Sequence, residues 1–219
     1  MPDYRTEYQK VYEALRSAIM EGEYAPGERL PQRKLAERYE TTTITVREAL
    51  RFLESDGLIT IEPKWGAMVQ EITPEKVRGR YLVREALEGM AARLAAANVT
   101  ESEKEELMAL AERCDRELTG DRLTRREKAS LHYSLHDRIV QITRCEELIR
   151  SINRNNLHTV IFSNAYHIDW TSDDPQQHRN LIRALTAGDA ERAEVTMRKH
   201  VRDGYAMEIR ALGSAAAVG

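Results

Sequence analysis

The chain has 219 residues, 42% hydrophobic and 32% charged, enough for one large or two small apolar cores in a soluble globular protein. No run approaches the eighteen or so apolar residues of a membrane helix, and the opening MPDYRTEYQK lacks the apolar segment of a secretory signal, so a cytoplasmic protein with no membrane partner is expected. The net charge of −3 excludes a broadly basic nucleic-acid binder, and Cys114 and Cys145 have no disulfide or metal spacing, so both are expected to be reduced.

In chain order, residues 6–21 place Val11, Leu15, Ala18 and Ile19 on one helical stripe that Gly22 stops. A turn-rich connector, YAPGERLP, leads to a short helix at about 32–39 and then to a helix running from Thr42 or Thr45 to Ser55. Two short β-type runs follow, 58–62 and 67–72, joined through Pro63-Lys64-Trp65-Gly66. Three helices and a hairpin are the order of a winged helix-turn-helix, with Gly66 at the tip of the wing. The first turn of its third helix (Thr42, Thr43, Thr45) is short and hydroxyl-rich, as befits residues that meet base edges. Charge is local as well: residues 29–51 hold six basic and three acidic side chains, a small positive face on a module that is acidic as a whole.

Thr73-Pro74-Glu75 reads as a helix start, so the domain boundary is expected there, with residues 1–73 in the DNA-binding domain and 74–219 in a second, all-helical one. Helices are expected at about 74–98, 101–118, 123–143, 145–168, 174–187 and 190–212, forming an antiparallel bundle of six helices, or seven. The fold class is therefore mainly α. All six histidines fall after residue 130. His132 and His136 are four apart on one helical face. His178 lies ten residues before Gly188 and His200 eleven after Asp189, so helices folding back at that turn carry both imidazoles at the same depth, roughly 15 Å from it. The four rings can meet as a metal site. Four imidazoles carry no negative ligand charge, which favours Zn²⁺, with Ni²⁺ as the alternative, over Mg²⁺ or Ca²⁺. Asn156, Ser163 and His167 interrupt an otherwise core-facing stripe, and Asn156 is a candidate effector contact.

The stretch from G-E-R-L at 27–30, through Arg33, Leu35-Ala36, V-R-E-A-L at 46–50 and L-x-x-D-G-L-I at 53–59, to Gly66 resembles the N-terminal domain of the GntR family of bacterial transcription regulators. The resemblance implies that Arg33 and Arg47 lie at the DNA and that Gly66 lets the wing approach the minor groove. Thr43 stands where the family usually has arginine, Thr45 where it often has proline, and Trp65 where the wing commonly has arginine. An operator unlike the family's common one is therefore expected, since a bidentate arginine is worth roughly 1–3 kcal/mol of base discrimination. Trp65 is expected to pack on the hairpin.

V-R-E-A-L-E at 83–88, L-H at 135–136, H-R-x-L-I-x-A-L at 178–185, G-D at 188–189 and M-R-K-H at 197–200 resemble the FCD ligand-binding domain of the FadR-type branch. Many members hold a divalent metal through an aspartate and three histidines. The resemblance makes the histidines His136, His178 and His200, and puts His132 at the aspartate position. It also makes Arg84 a candidate clamp for a carboxylate effector, although an i,i+4 ion pair with Glu88 is open to it too. The expected function is a DNA-binding regulator, a repressor, acting as a homodimer on a pseudo-palindromic double-stranded operator and controlled by a small organic acid at the metal site. A purely structural metal is the alternative. A metal-dependent hydrolase is disfavoured, because no carboxylate base falls at a suitable helical spacing and Asp137 points off the His132/His136 face.

Overall fold

The structure, a computed structural model, describes residues 5–165 and 174–216; the side chains of 156–165 and 214–216 fall outside that description. The chain divides into two compact units, Met1–Ile72 with Leu157–Ala165, and Thr73–Asn156 with Tyr166–Gly219.

In the first unit, α1 (Glu7–Met20), α2 (Gln32–Arg38) and α3 (Thr43–Ser55) precede the hairpin β1 (Ile59–Glu62) and β2 (Gly66–Val69). Helix α1 starts at a capping box in which Thr6 and Gln9 satisfy each other's backbone groups. The apolar stripes of all three helices converge: Val11, Leu15, Ile19, Leu35, Val46, Leu50 and Leu53 form one buried cluster closed below by Leu58, Ile59, Ala67 and Val69 of the hairpin. Helix α2 is too short to hold alone, so its Leu35 and Ala36 secure it by packing. The antiparallel register pairs Glu62 with Gly66, so Gly66 opens β2 and the tip is Pro63-Lys64-Trp65, a residue earlier than expected. Gly66 has φ +76° with open space where a Cβ would sit, so its backbone conformation, not crowding, requires glycine.

Among the described residues the second unit contains α4 (Pro74–Asn98), α5 (Glu101–Glu117), α6 (Arg125–Ile142), α8 (Gln177–Thr186) and α9 (Ala190–Ala216), while α7 (Glu146–Ala165) is divided between the two units after Asn156. Three starts are set by threonine caps at Thr73, Thr100 and Thr124. The Thr124/Glu127 capping box moves the start of α6 to Arg125, two residues beyond the expected one. Helix α8 likewise begins at Gln177 rather than 174. Helices α4 and α9 make the most extensive contact in the chain. Small residues allow it: Ala91, Ala92 and Ala95 are fully buried on α4, a Cβ on Gly89 would meet the Arg198 side chain at 2.8 Å, and one on Gly204 would meet the Tyr81 hydroxyl at 3.4 Å. Helix α8 packs against both α5 and α9, and α6 packs against α4 and α5. Gly188, at φ +81°, makes the turn from α8 to α9 that brings His178 and His200 together, their rings edge-on at 5.1 Å.

Candidate functional site

In the first unit, the residues expected at DNA lie on α2, at the start of α3 and along it, and at the opening of β2. Arg33 and Arg47 are exposed, as are Thr42 and Gly66, while Thr43 and Thr45 are half-buried. Thr42 is the N-cap of α3: its Oγ1 accepts from the Thr45 backbone N–H at 3.2 Å and lies 3.0 Å from Thr45 Oγ1. Those two hydroxyls therefore first organise the helix start, and only secondarily remain open to a ligand. Trp65 is 57% exposed, and its packing partner is the Arg29 guanidinium, 4.7 Å above the ring. Sequence reasoning passed over Ile44, which is 67% exposed in the first turn of α3.

In the second unit, α6 supplies His132 and His136, α8 supplies His178 and α9 supplies His200. The Nε2 atoms of His132, His136 and His200 lie 3.1–3.3 Å from one another, a triangle with no acidic atom in it. His178 flanks it, with ring centroids 5.2 Å from His132 and 5.1 Å from His200, but its ligand nitrogen is not in the mutually close set of three. The His178 Nε2 atom is buried and has no hydrogen-bond partner among the described residues. Burial pushes His132, His178 and His200 below the ordinary imidazole range, so these rings are neutral at pH 7.

Two carboxylates fix the orientation of two of the rings, His136 and His178. Glu88 Oε2 accepts from His136 Nδ1 at 2.6 Å, and Glu88 Oε1 accepts from Arg84 Nε at 2.7 Å. Burial raises the Glu88 pKa, but Arg84 and His136 overcome that and hold the carboxylate ionised. Asp115 Oδ1 accepts from His178 Nδ1 at 2.7 Å and from its backbone N–H at 3.0 Å; Asp115 Oδ2 accepts from Arg179 Nε and the Arg179 backbone N–H. Asp115 thus caps α8 from a neighbouring helix while turning the lone pair of the neutral His178 ring inward.

The donor set fits a divalent cation. Each Nε2 in the triangle offers either one hydrogen or one lone pair. Three atoms in mutual contact cannot all be matched, because in any triangle of two kinds at least one pair is alike. A cation removes that conflict, and the His178 nitrogen, outside the close set, faces no other partner among the described residues. Nitrogens about 2.0–2.1 Å from a tetrahedral Zn²⁺ are spaced about 3.3–3.4 Å apart, close to the observed separations. Histidines whose far nitrogen donates to a carboxylate are the usual support of such ligands. Beside His200 opens a cavity of about 770 Å³ lined by Gln177, Asn180, Thr196, Lys199 and Arg210, among others.

Sequence comparisons place both units. The signature described as "Bacterial regulatory proteins, gntR family" matches residues 7–69, and that of the FCD domain matches residues 80–203. The chain belongs to the GntR family, in its FadR-type FCD branch. The HTH-type transcriptional repressor RspR of Escherichia coli K12 is 27% identical to this GntR regulator over 202 residues, covering 89% of this chain and 86% of RspR. The HTH-type transcriptional regulator YdhC of Bacillus subtilis is 28% identical over 195 residues, covering 89% and 78%. A GntR transcriptional regulator of Rhodococcus sp. RHA1 has a crystal structure similar in fold, with TM-score 0.73 at 21% identity over 93% of this chain and 98% of that one. The GntR regulator is thus a DNA-binding transcription regulator and not an enzyme.

Within this GntR regulator, Arg84 is buried against Glu88 and over the Tyr81 ring at 4.7 Å, so the ion pair is the arrangement found. Its guanidinium acts on His136 through Glu88. Asn156, the other expected effector contact, lies outside the residues whose side chains are described, as do Ser163 and His167. From sequence Glu88 is named only as an ion-pair partner of Arg84, not as a support of His136, and Asp115 is not named. Glu88 had a signal: it falls on the stripe of α4 defined by Val77, Tyr81, Ala91, Ala92 and Ala95, where a charge must be paired. Asp115 had none, because its partners are 63 and 64 residues away.

Proposed function

We propose that this regulator is a metal-dependent sensor of a small carboxylate, a repressor whose operator affinity falls when the carboxylate binds. The observation that carries the reading is the convergence of three Nε2 atoms beside the buried, unpartnered His178 Nε2. His132, His136, His178 and His200 would hold the ion, with Glu88 and Asp115 fixing the lone-pair directions of His136 and His178. Neutral nitrogen donors favour Zn²⁺, and Ni²⁺ next. When bound, the ion supplies an uncompensated positive charge that attracts an anion. The cavity beside His200 offers such an anion a route; its wall carries Lys199 and Arg210 together with Asp174 and Asp203, and Asp203 accepts from Lys199 at 2.7 Å.

The chain's own groups then supply the response. His200 on α9 and His136 on α6 face each other at 3.1 Å, and Glu88 and Arg84 tie His136 to α4. A ligand that prefers one arrangement of these helices shifts the regulator between states in proportion to that preference. Helix α4 begins at Pro74, directly after the DNA-binding unit in sequence, so a shift in α4 has a covalent route to it. The protein is proposed to act as a homodimer on a pseudo-palindrome, since a two-fold protein reads two half-sites.

Elemental analysis of the purified protein, with a thermal-shift panel of small organic acids with and without chelator, tests the reading. Bound Zn²⁺ or Ni²⁺ and an acid that stabilises only the metal-loaded protein and releases operator DNA are expected. Protein without stoichiometric metal would overturn it. A chelator that lowers the melting temperature while leaving every acid response intact would make the metal structural.

A further inference from the structure

Ile44 is the least accommodated apolar residue of the reading helix. It is 67% exposed, and the buried cluster of the unit does not include it. Phe52 and Trp65, the other two large apolar side chains exposed among the described residues of this unit, have stacking partners: Tyr8 lies at 5.2 Å from the Phe52 ring and Arg29 at 4.7 Å from Trp65. Ile44 stands nine residues before Leu53, about two and a half helical turns, so it points directly opposite the buried side of α3. Arg47 and Arg51, three and seven residues on, share its outward face and are exposed. A β-branched apolar group in the first turn adds nothing to the cap and little to helix propensity. The neighbouring hydroxyls are engaged: one of the two hydroxyl hydrogens of Thr42 and Thr45 is taken by their mutual contact, and Thr42 Oγ1 also accepts from the Thr45 N–H.

We infer that Ile44 reads the C5-methyl group of a thymine in the operator. The first turn of the second helix of a helix-turn-helix lies against base edges in the major groove. Thymine alone presents a methyl group there, and apolar side chains are the groups that recognise it. With a polar Thr43 in place of a guanine-reading arginine, an apolar contact one residue later moves the preference of this helix from guanine toward thymine. The inference rests on the DNA-binding role of α3 and is independent of the proposed metal and effector.

The test uses the full-length protein and a double-stranded site that it selects from a random library. Each thymine of that site is replaced in turn by deoxyuridine, which removes only the methyl group. At one position or more, the replacement is expected to weaken wild-type binding by about three- to tenfold, the order expected for one buried methyl. Ile44→Ala is expected to bind the thymine and deoxyuridine forms equally, and Ile44→Val to keep most of the difference. Because Ile44 is exposed, both variants should melt at the wild-type temperature. No sensitive thymine, or an Ile44→Ala protein as discriminating as the wild type, overturns the assignment. Arg47→Ala should weaken all the sites alike, and a wild-type protein that selects no sequence would remove the reading role of α3 itself.

Discussion

The two units solve opposite problems with opposite placements of their functional groups. In the first, the core is wholly apolar and the residues expected at DNA are on the outside, where Arg33 and Arg47 wait on a partner that brings its own charge. In the second, the functional groups are the interior: Arg84, Glu88, His136 and His178 are buried, along with Arg80 and Glu208. A surface reader can be changed residue by residue at little cost to folding. An interior site cannot, because a buried charge must keep its partner. In this protein the residues proposed for sensing are also residues of the buried interior, whereas those expected at DNA lie outside the core.

The largest expected effect tests that claim directly. Glu88→Ala leaves Arg84 buried without its carboxylate and is expected to cost about 3–5 kcal/mol in urea unfolding. Arg33→Ala, on the exposed face, should leave unfolding unchanged and reduce the salt dependence of DNA binding by about one ion. If the two variants unfold alike, the contrast between the units fails.

Acid should act on one unit only. His132, His178 and His200 are held below their ordinary pKa by burial, so the unfolded chain binds more protons than the folded one once the pH drops below about 6.5. Stability of metal-free protein is therefore complete above that pH and declines below it, by up to about 1.4 kcal/mol per pH unit for each imidazole. Calorimetry across pH 5 to 8 measures the slope; a flat profile would mean these rings are not buried neutral.

Asp115→Asn keeps the shape at α8 but weakens the hold on His178 Nδ1. It is expected to reduce zinc affinity by about 10–100-fold in a competition titration, with no change in the operator affinity of protein saturated with zinc. The smallest effect belongs to the reader: Thr42→Ala removes the cap of α3 and should cost about 1 kcal/mol of stability. Metal content should not change. Loss of zinc in this variant would show that the units are coupled in a way their separate cores do not require.

Legibility from sequence followed the same division. The reader could be followed because its signals are local: an N-cap threonine, a stop at Asp56-Gly57, a wing glycine with positive φ. Ile44 escaped notice because exposure is a property of the folded surface, not of the residue. In the sensor, helix spacing brought out the histidines, since the i,i+4 pair and the Gly188 turn both translate directly into distance. Arg84 shows where this stops. Its ion pair and its effector role were equally compatible with the spacing, and burial beside Glu88 gave the pair. The start of α6 differs by two residues from the periodicity because the Thr124/Glu127 capping box, not the apolar pattern, sets it.

By itself the amino-acid order determined the series of helices, the winged reader and the set of imidazoles, because caps, glycine turns and 3.6-residue periodicity act within a few residues of themselves. Only the tertiary structure decided which carboxylates orient those imidazoles, that the Nε2 atoms of His132, His136 and His200 converge to 3.1–3.3 Å, and that Ile44 faces outward. Such matters depend on side chains from helices far apart in sequence meeting in one desolvated space, where pairing and burial set the energies and sequence distance has no bearing.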